Sequence, residues 1–467
     1  MPDSDAPGAP SRLPQLDGLH DDAKRRFDEQ GIELLRHVMV FREPERQPSA
    51  DFKPNIFHAR AVTDQDIVGD VHLGWQNRDG DPIGLAVAEV GGTRKGFVGE
   101  GFKKLEILAR SMGKARPFAS IASIEFLQAQ IFEWAKTNSH AQPAIGCSDF
   151  ILKSLAQAAT ERRIIIPISD LYVESPLAFG SVTITTFPDT LFQQFEARRL
   201  PEGESADDHV AWCKSLRSDF QGLAVAEARV FGEPIRAREL AIEQIELVVG
   251  ILRFFAPAHL DVKVVSRIAR WGYAPQRTSM TFVADSDGRC STITTALIDQ
   301  PGRAVLDDKL KGFLLGAGLS EVREIVSRET RTQLEQSLLA GMVTFGQAAL
   351  TPDLRARIVW YCAGLESILL KNSSEPILHN LGDRLAMFGY DSVDERATAL
   401  ADVRAAYSLR SDFVHHGLDV EDREIINRFA HHGLKFFLRL AKNVNRFSTR
   451  EQFIEYIDRM KLSGGQH

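Results

Sequence analysis

The sequence predicts a multidomain α+β protein: a mixed α/β region up to about residue 325, followed by an all-α bundle of five helices. Short β-branched runs bounded by Gly and Pro alternate with helical patterns in the first two thirds of the chain. After residue 326, apolar residues recur at spacings of three and four, and only short breakers interrupt them. A chain of 467 residues is too long for one ordinary core, so we expect two or three domains.

Residues 1–18 are rich in Pro, Ser and Asp and lack the charged and apolar regions of a secretory signal, so they are predicted to be a disordered leader. The four cysteines are far apart and include no CxxC pair, which favours reduced thiols over disulfides or a zinc site. The longest apolar stretch is interrupted by charges and a proline too early to cross a bilayer. We therefore expect a cytoplasmic protein that does not enter a membrane.

The region 19–325 is predicted to be a mixed α/β regulatory or sensor region of one or two subdomains. Its β-branched runs RRIIIPISDLYV and GSVTITTF predict strands, and RTSMTFVAD followed by CSTITTALI predicts a hairpin. The helical patterns cover 101–112, 119–137, 148–162, 207–231 and 236–256.

The region 326–467 is predicted to be a helical domain, because five amphipathic segments follow one another with short loops between them. Several segments open with a helix-capping pattern, such as Thr351 to Asp353 and Ser392 followed by Glu395.

The hexapeptide SLRSDF occurs twice, at 215–220 and at 408–413. On a helix, residues seven before, three before and four after an arginine share its face. Around Arg217 this face is mainly polar, which predicts an ordinary surface arginine. Around Arg410 the same positions hold Val403, Tyr407 and Val414, so the sequence places a cation in an apolar seam. A charge in such a seam needs an acidic partner, a cleft or a partner subunit, unless its stem packs while its head reaches solvent.

Arg410 is followed after four residues by His415, at the end of the segment AAYSLRSDFVHHG. This R-x4-H pattern, with RARIVWYCAGLESILL and LGDRLAMF before it, resembles the Apea-like group of HEPN domains over about residues 326–445. The resemblance implies a metal-independent endoribonuclease that works as a homodimer on RNA such as tRNA or mRNA, without a cofactor. It also implies roles of this family in antiviral defence or as toxins.

The side chains suit this chemistry. A histidine with a pKa near 6.5 can act as general acid or base near neutral pH, and an arginine fork can hold two phosphate oxygens. Five residues on a straight helix rotate by about 140°, so we expect the helix to end or bend between Arg410 and His415, or the arginine to reach around it. Gly417 is the expected residue at the end of this helix. An R-x5-H spacing makes His416 the alternative to His415.

Three further residues are possible supports for the pair. Ser411 can contact phosphate, and Asp412 can orient an imidazole or remain a solvated acid. Glu366 can pair with Arg410 or simply hold the bundle together.

Lys435, Arg439, Lys442 and Arg446 recur at helical spacing and predict a basic stripe on the last long helix, either a surface for RNA or a solvated face. No metal site is expected, because the adjacent histidines of each His-His pair diverge on a helix and contribute at most one ligand per pair.

Two other functions stay open at the level of sequence. The helical domain can be a catalytically silent HEPN module for dimerisation or RNA binding, with Arg410 in a structural ion pair. Alternatively, the main activity can lie in residues 1–325.

Overall fold

Among the residues that the structure describes, helices alternate with short strands before residue 310, and helices alone follow. A computed structural model of the chain describes residues 19–41, 75–76, 82–83, 85–90, 93–138, 143–200, 205–284, 290–297, 300–302, 304–372, 374–420 and 422–462. The predicted leader at 1–18 lies outside these residues. The chain folds into two compact units, of which the first is Met1–Arg162 with Val230–Leu240 and the second is Arg163–Arg229 with Ala241–His467.

The helices of the described residues are α1 (Asp21–Leu35), α2 (Glu100–Gly113), α3 (Arg116–Ala119), α4 (Ile124–Asn138), α5 (Cys147–Ala158), α6 (Asp189–Glu196), α7 (Ala206–Phe220), α8 (Pro234–Phe254), α9 (Asp308–Leu314), α10 (Ser320–Ser327), α11 (Gln333–Gly346), α12 (Leu354–Leu369), α13 (Ile377–Gly389), α14 (Val393–His416), α15 (Arg423–Asn443) and α16 (Arg450–Leu462). Short 3-10 turns lie at Pro257–His259, Gln347–Leu350 and Val444–Arg446, and a π-turn lies at Leu315–Leu319.

The strands are β1 (Met39–Phe41), β2 (Trp75–Gln76), β3 (Pro82–Ile83), β4 (Leu85–Val90), β5 (Thr93–Val98), β6 (Thr160–Ser169), β7 (Leu171–Val173), β8 (Leu177–Phe179), β9 (Val182–Thr186), β10 (Ala224–Gly232), β11 (Val264–Ser266), β12 (Ala269–Arg270), β13 (Thr278–Ala284), β14 (Cys290–Ala296), β15 (Gln300–Gly302) and β16 (Ala304–Leu306). The predicted strands and the hairpin β13–β14 are confirmed, with β13 and β14 antiparallel.

The first unit packs α1, α2, α4 and α5 around one apolar core, next to an antiparallel sheet in the order β1–β5–β4. Trp134 and Ile131 of α4 are fully buried in this core. Asp28 of α1 accepts hydrogen bonds of 2.8 Å from both the amide and the hydroxyl of Ser148, which holds the first turn of α5 against α1.

The second unit contains the strand order β12–β6–β10–β9–β8 and the helices α11–α16. The α+β class with a C-terminal region of several helices is therefore confirmed. Each of the five predicted C-terminal helices is present, and α16 is a further one. No helix among the described residues is long and apolar enough to cross a membrane.

The helix predicted over 207–231 is wrong in its second half. The helix α7 ends at Phe220, Gly222 adopts φ +81°, and residues 224–232 form β10. Alternate residues of β10, such as Ala226 and Ala228, are fully buried, and the strand pairs with β9. The alanines of this segment are therefore small residues of a strand inside a sheet. The predicted helix 148–162 likewise ends at Ala158, where β6 begins soon after.

Arg357 joins α12 to two earlier segments of the second unit. Its side chain is fully buried and donates hydrogen bonds to the carbonyl oxygens of Thr351 at 2.6 Å, Ala258 at 3.1 Å and Val264 at 2.6 Å. Burial lowers the pKa of this guanidinium. The three carbonyls replace the water that the charge has lost, so the position of α12 is fixed by one cation.

His259 lies in the same core, beside Phe345 and Tyr361. It is fully buried, with Nδ1 3.0 Å from the Tyr361 hydroxyl and Nε2 2.9 Å from the carbonyl oxygen of Arg253. Burial lowers its pKa to about 3, and the nearby Arg357 cation acts in the same direction. The folded chain therefore keeps this imidazole neutral at every pH above about 3.

We expect His259 to make the fold sensitive to acid. The unfolded chain takes up a proton at this position near pH 6.5, and the folded chain does not until about pH 3, so stability is lost as the pH falls below 6.5. The loss from this group is about 2 kcal/mol between pH 7 and pH 5. Chemical unfolding measured across this range should show a smaller dependence of stability on pH in His259→Gln than in wild type. An unchanged slope in His259→Gln contradicts this assignment.

Candidate active site at the end of α14

The two SLRSDF copies have different surroundings. Arg217 of the first copy lies on α7 with its side chain 36% exposed, 2.8 Å from Glu196 and stacked on the ring of Phe192. The residues on its face, Val210, Lys214 and Gln221, are exposed. Arg217 is the surface arginine that the sequence predicts.

Arg410 of the second copy lies near the end of α14 on the seam that the sequence predicts. Val403 and Tyr407 of this seam are buried, Arg410 is half-buried, and Val414 is 47% exposed. The seam therefore runs from the core to the surface within three turns, and Arg410 lies at the transition.

The Nε atom of Arg410 is buried and has no hydrogen-bond partner. Six arginines of the described residues share this property, and four of them use their terminal nitrogens on carboxylates or carbonyl oxygens. Of these six, Arg410 and Arg253 are the two whose side chains make no hydrogen bond within the part of the chain that the structure describes. Arg410 thus carries a partly buried charge that has no hydrogen-bonded or ion-paired partner among the described residues.

The charge of Arg410 acts on a cluster of polar groups from α12 and α14. The hydroxyl of Tyr407 donates a 2.8 Å hydrogen bond to Glu366 Oε1 and also contacts the thiol of Cys362. Burial raises the pKa of Cys362, although the Arg410 charge acts in the opposite direction. Burial, with the neighbouring thiol and carboxylate, also raises the pKa of Tyr407. The Cys362 thiol and the Tyr407 hydroxyl therefore stay neutral. Glu366 accepts its hydrogen bond from Tyr407 and forms no ion pair with Arg410 among the described residues.

The helix α14 is continuous through His416 and ends at Gly417, which adopts the left-handed conformation with φ +66°. The amides of Gly417 and Leu418 donate to the carbonyls of Phe413 and Asp412. The prediction of Gly417 as the terminating residue is confirmed. The expected end or bend between Arg410 and His415 is wrong, because the left-handed residue comes only after the second histidine.

His415 and His416 are both exposed in the last turn of α14, with ring centroids 6.5 Å apart. Among the described residues, neither imidazole has a hydrogen-bond partner. On a regular helix they project about 140° and about 120° from Arg410, on opposite flanks. One chain therefore presents the arginine and each histidine on different faces of the same helix end.

The two lesser candidates on α14 are half-buried. Asp412 lies one turn before the histidines, but no hydrogen bond joins its carboxylate to either ring among the described residues. Ser411 follows Arg410 directly and makes no side-chain hydrogen bond in the same part of the chain.

The sequence did not indicate a role for Arg355, which covers the end of α14. Its guanidinium lies 5.6 Å from the ring centroid of Phe413 and forms ion pairs with Asp353 at 3.0 Å and Asp419 at 3.2 Å. This arginine links the start of α12 to the loop after α14. The acidic pair of Asp353 and Asp419 compensates its charge, which distinguishes it from Arg410.

A buried network also fixes α14 to α15. His432 Nε2 lies 2.9 Å from Asp402 Oδ2, its Nδ1 contacts the Tyr390 hydroxyl, and Arg428 Nε lies 2.9 Å from Asp402 Oδ1. Burial would raise the pKa of Asp402, but the bonds from His432 and Arg428 lower it overall. Burial lowers the pKa of His432. His432 is thus a structural histidine, and among the described residues no group of His, Cys, Asp or Glu could hold a metal ion.

The basic stripe is partly neutralised within the fold. Lys435 lies 3.5 Å from Glu395 and 3.8 Å above the ring of Tyr390, and Arg439 pairs with Asp391 at 2.8 Å. Lys442 forms no ion pair among the described residues. Arg446 lies beyond the end of α15, in the turn before α16, and stacks on Tyr456. Lys435, Arg439 and Lys442 therefore lie on α15, the last long helix, as predicted, whereas Arg446 lies in the turn that follows it.

Comparisons of the chain with protein-family models, with curated proteins and with solved structures find no match.

Arg384 offers a matched test of Arg410, because it is a compensated arginine in the same helical region. It is 5% exposed and bonds Glu375, Asp458 and the carbonyl of Leu369 at 2.7–3.2 Å. We expect Arg384→Met to lower the free energy of unfolding by about 3–5 kcal/mol, since it removes the guanidinium from two acids, of which Asp458 keeps Lys371 and Glu375 keeps one backbone amide. We expect Arg410→Met to leave it unchanged or higher. Urea unfolding of the two variants measures this difference, and a comparable loss in both contradicts the assignment of Arg410 as uncompensated.

Proposed function

We propose that the chain is a metal-independent endoribonuclease of the HEPN type, with its active site at the end of α14. Arg410 binds and stabilises the phosphate, and His415 is the general acid or base. Residues 19–325 regulate this activity or sense its trigger. The substrate class is RNA such as tRNA or mRNA.

One observation carries this proposal: the charge of Arg410 has no partner among the described residues, although it lies at the border of the core. A structural arginine at such a border has acids or carbonyls around it, as Arg384 and Arg357 do. Glu366, the acid that the sequence offered as a partner, is bonded to Tyr407 instead. An anionic ligand is therefore the natural partner of Arg410, and a guanidinium binds phosphate in a two-pronged geometry.

The proposed reaction uses the 2′-hydroxyl of the RNA as nucleophile. A histidine removes the proton of that hydroxyl, the 2′-oxygen attacks the adjacent phosphorus, and the bond from phosphorus to the 5′-oxygen breaks. A second histidine donates a proton to the departing 5′-oxygen, and the product carries a 2′,3′-cyclic phosphate. Arg410 stabilises the negative charge that accumulates on the phosphorane oxygens.

The angle between Arg410 and His415 favours a site made from two protomers. Within one helix the two side chains diverge by about 140°. In a homodimer, Arg410 of one protomer can face a histidine of its partner, which is the arrangement that the HEPN resemblance implies. The exposed apolar side chains of Val414 and Leu418, at 47% and 55%, flank the histidines and fit an end of α14 that a second protomer covers.

The same divergence supports a second candidate function, a catalytically silent HEPN module for dimerisation or RNA binding. The sequence placed Arg410 of this silent module in a structural ion pair, but no such pair forms among the described residues, so Arg410 and Lys442 would hold RNA phosphates while the histidines take no part in proton transfer. If this alternative holds, the protein binds RNA but does not cleave it.

Cleavage of total cellular RNA by the full-length protein in excess EDTA tests the proposal. We expect wild type to leave 2′,3′-cyclic phosphate ends, and His415→Ala to lower the rate by about 10²–10⁴-fold, the usual contribution of a general acid or base. Arg410→Ala should lower it as well. The matched control is Arg217→Ala in the first SLRSDF copy, which should cleave like wild type.

Three outcomes contradict the proposal in different ways. Equal rates in wild type and His415→Ala, with loss in His416→Ala, assign the proton transfer to His416. RNA binding without cleavage by wild type supports the silent module. Equal loss in Arg217→Ala and Arg410→Ala removes the distinction between the two copies.

A further inference from the structure

A second uncompensated arginine lies in a pocket of the second unit, formed where α8 crosses α11. Arg253 of α8 is 4% exposed, and its Nε is buried without a partner. Burial lowers the pKa of this guanidinium, and Glu246 offsets only part of the effect. Among the described residues, no side chain or carbonyl accepts a hydrogen bond from it. This arginine lines a pocket of about 380 Å³.

The pocket holds a second cation. Arg331 donates from Nε to the carbonyl of Ile325 at 3.1 Å and from one terminal nitrogen to Val326, so its other terminal nitrogen has no partner in the described part of the chain. Glu246 also lines the pocket, but it forms a 2.9 Å ion pair with Arg270. The pocket therefore holds Arg253, which has no hydrogen-bond partner among the described residues, and Arg331, which keeps one terminal nitrogen for a ligand.

The remaining walls suit a small organic group. Leu339 and Val343 form an apolar side, and the amides of Gln336 and Gln347 supply polar groups. A volume of about 380 Å³ lies within the range of small-molecule sites, about 300–1,000 Å³.

The crossing of α8 and α11 also holds Arg253 in place. The helices approach so closely that a Cβ at Gly250 would lie 2.8 Å from Val343, and one at Gly346 would lie 3.0 Å from the Gly250 carbonyl. Two helices packed closely enough to exclude a Cβ leave little freedom to the helix that carries Arg253. A rigid support of this kind lowers the entropy that a site loses when a ligand binds.

We propose that this pocket binds a small phosphate monoester, with Arg253 and Arg331 on the phosphate and the apolar wall against the organic group. A phosphate monoester carries close to two negative charges at neutral pH, which matches two arginines, whereas a carboxylate carries one. The ligand also supplies the acceptors that Arg253 lacks. This site is separate from the proposed RNA site and does not depend on it.

Isothermal titration calorimetry on the full-length protein, in a buffer without phosphate or sulfate, tests the proposal. The probes are adenosine 5′-monophosphate, ribose 5-phosphate, inorganic phosphate and acetate. We expect saturable binding of at least one monoester, weaker binding of inorganic phosphate and none of acetate. Arg253→Met should weaken monoester binding by about tenfold or more, the effect of one lost charged hydrogen bond.

Three further variants make the test independent of the folding of Arg253→Met. Ala340→Phe fills the mouth of the pocket from an exposed position and should also weaken binding. Arg410→Met and Arg217→Met should bind like wild type. No monoester binding by wild type overturns the proposal, as does equal binding by wild type and Ala340→Phe. Loss of binding in Arg410→Met instead assigns the phosphate to the end of α14. If inorganic phosphate binds as tightly as the monoesters, the choice of a monoester is overturned.

Discussion

A buried guanidinium must recover, from the protein, the hydrogen bonds that it gave up in water, and this constraint organises the second unit. Arg357 recovers them from three backbone carbonyls of segments that precede α12. Arg384 recovers them from two acids and a carbonyl, and so joins α13 to α16. These two side chains position the helices on which the candidate site depends, because α12 and α13 both pack against α14.

At two places in the described part of the second unit, a guanidinium with a buried nitrogen recovers no hydrogen bond from the protein. Arg410 and Arg253 are buried at Nε without a partner among the described residues. Neither arginine can be a structural residue that connects helices, because such a residue forms hydrogen bonds to the segments it connects. Both lie where an external anion could reach them: Arg410 where the α14 seam meets the surface, and Arg253 along an open pocket. We therefore interpret both as binding groups.

The sequence predicted local features well and tertiary ones poorly. Gly417 as the end of α14 and the different surroundings of Arg217 and Arg410 follow from spacing alone, and the structure agrees with them. The strand β10 was missed because its alanines also favour a helix, and only its pairing with β9 decides between the two. The network of His432 and the pocket of Arg253 depend on partners from other helices, such as Asp402, 30 residues before His432, and these are not encoded in any local pattern.

In the proposed function, the charge of Arg410 serves a phosphate of RNA rather than the fold. Binding of a 2′-O-methyl oligoribonucleotide tests this assignment, because such an RNA cannot be cleaved and binding is measured apart from catalysis. We predict that Arg410→Met loses most of the affinity while the protein stays as stable as wild type, and that Arg217→Met loses little. Retained affinity in Arg410→Met together with a less stable protein would contradict the assignment and make Arg410 a structural residue.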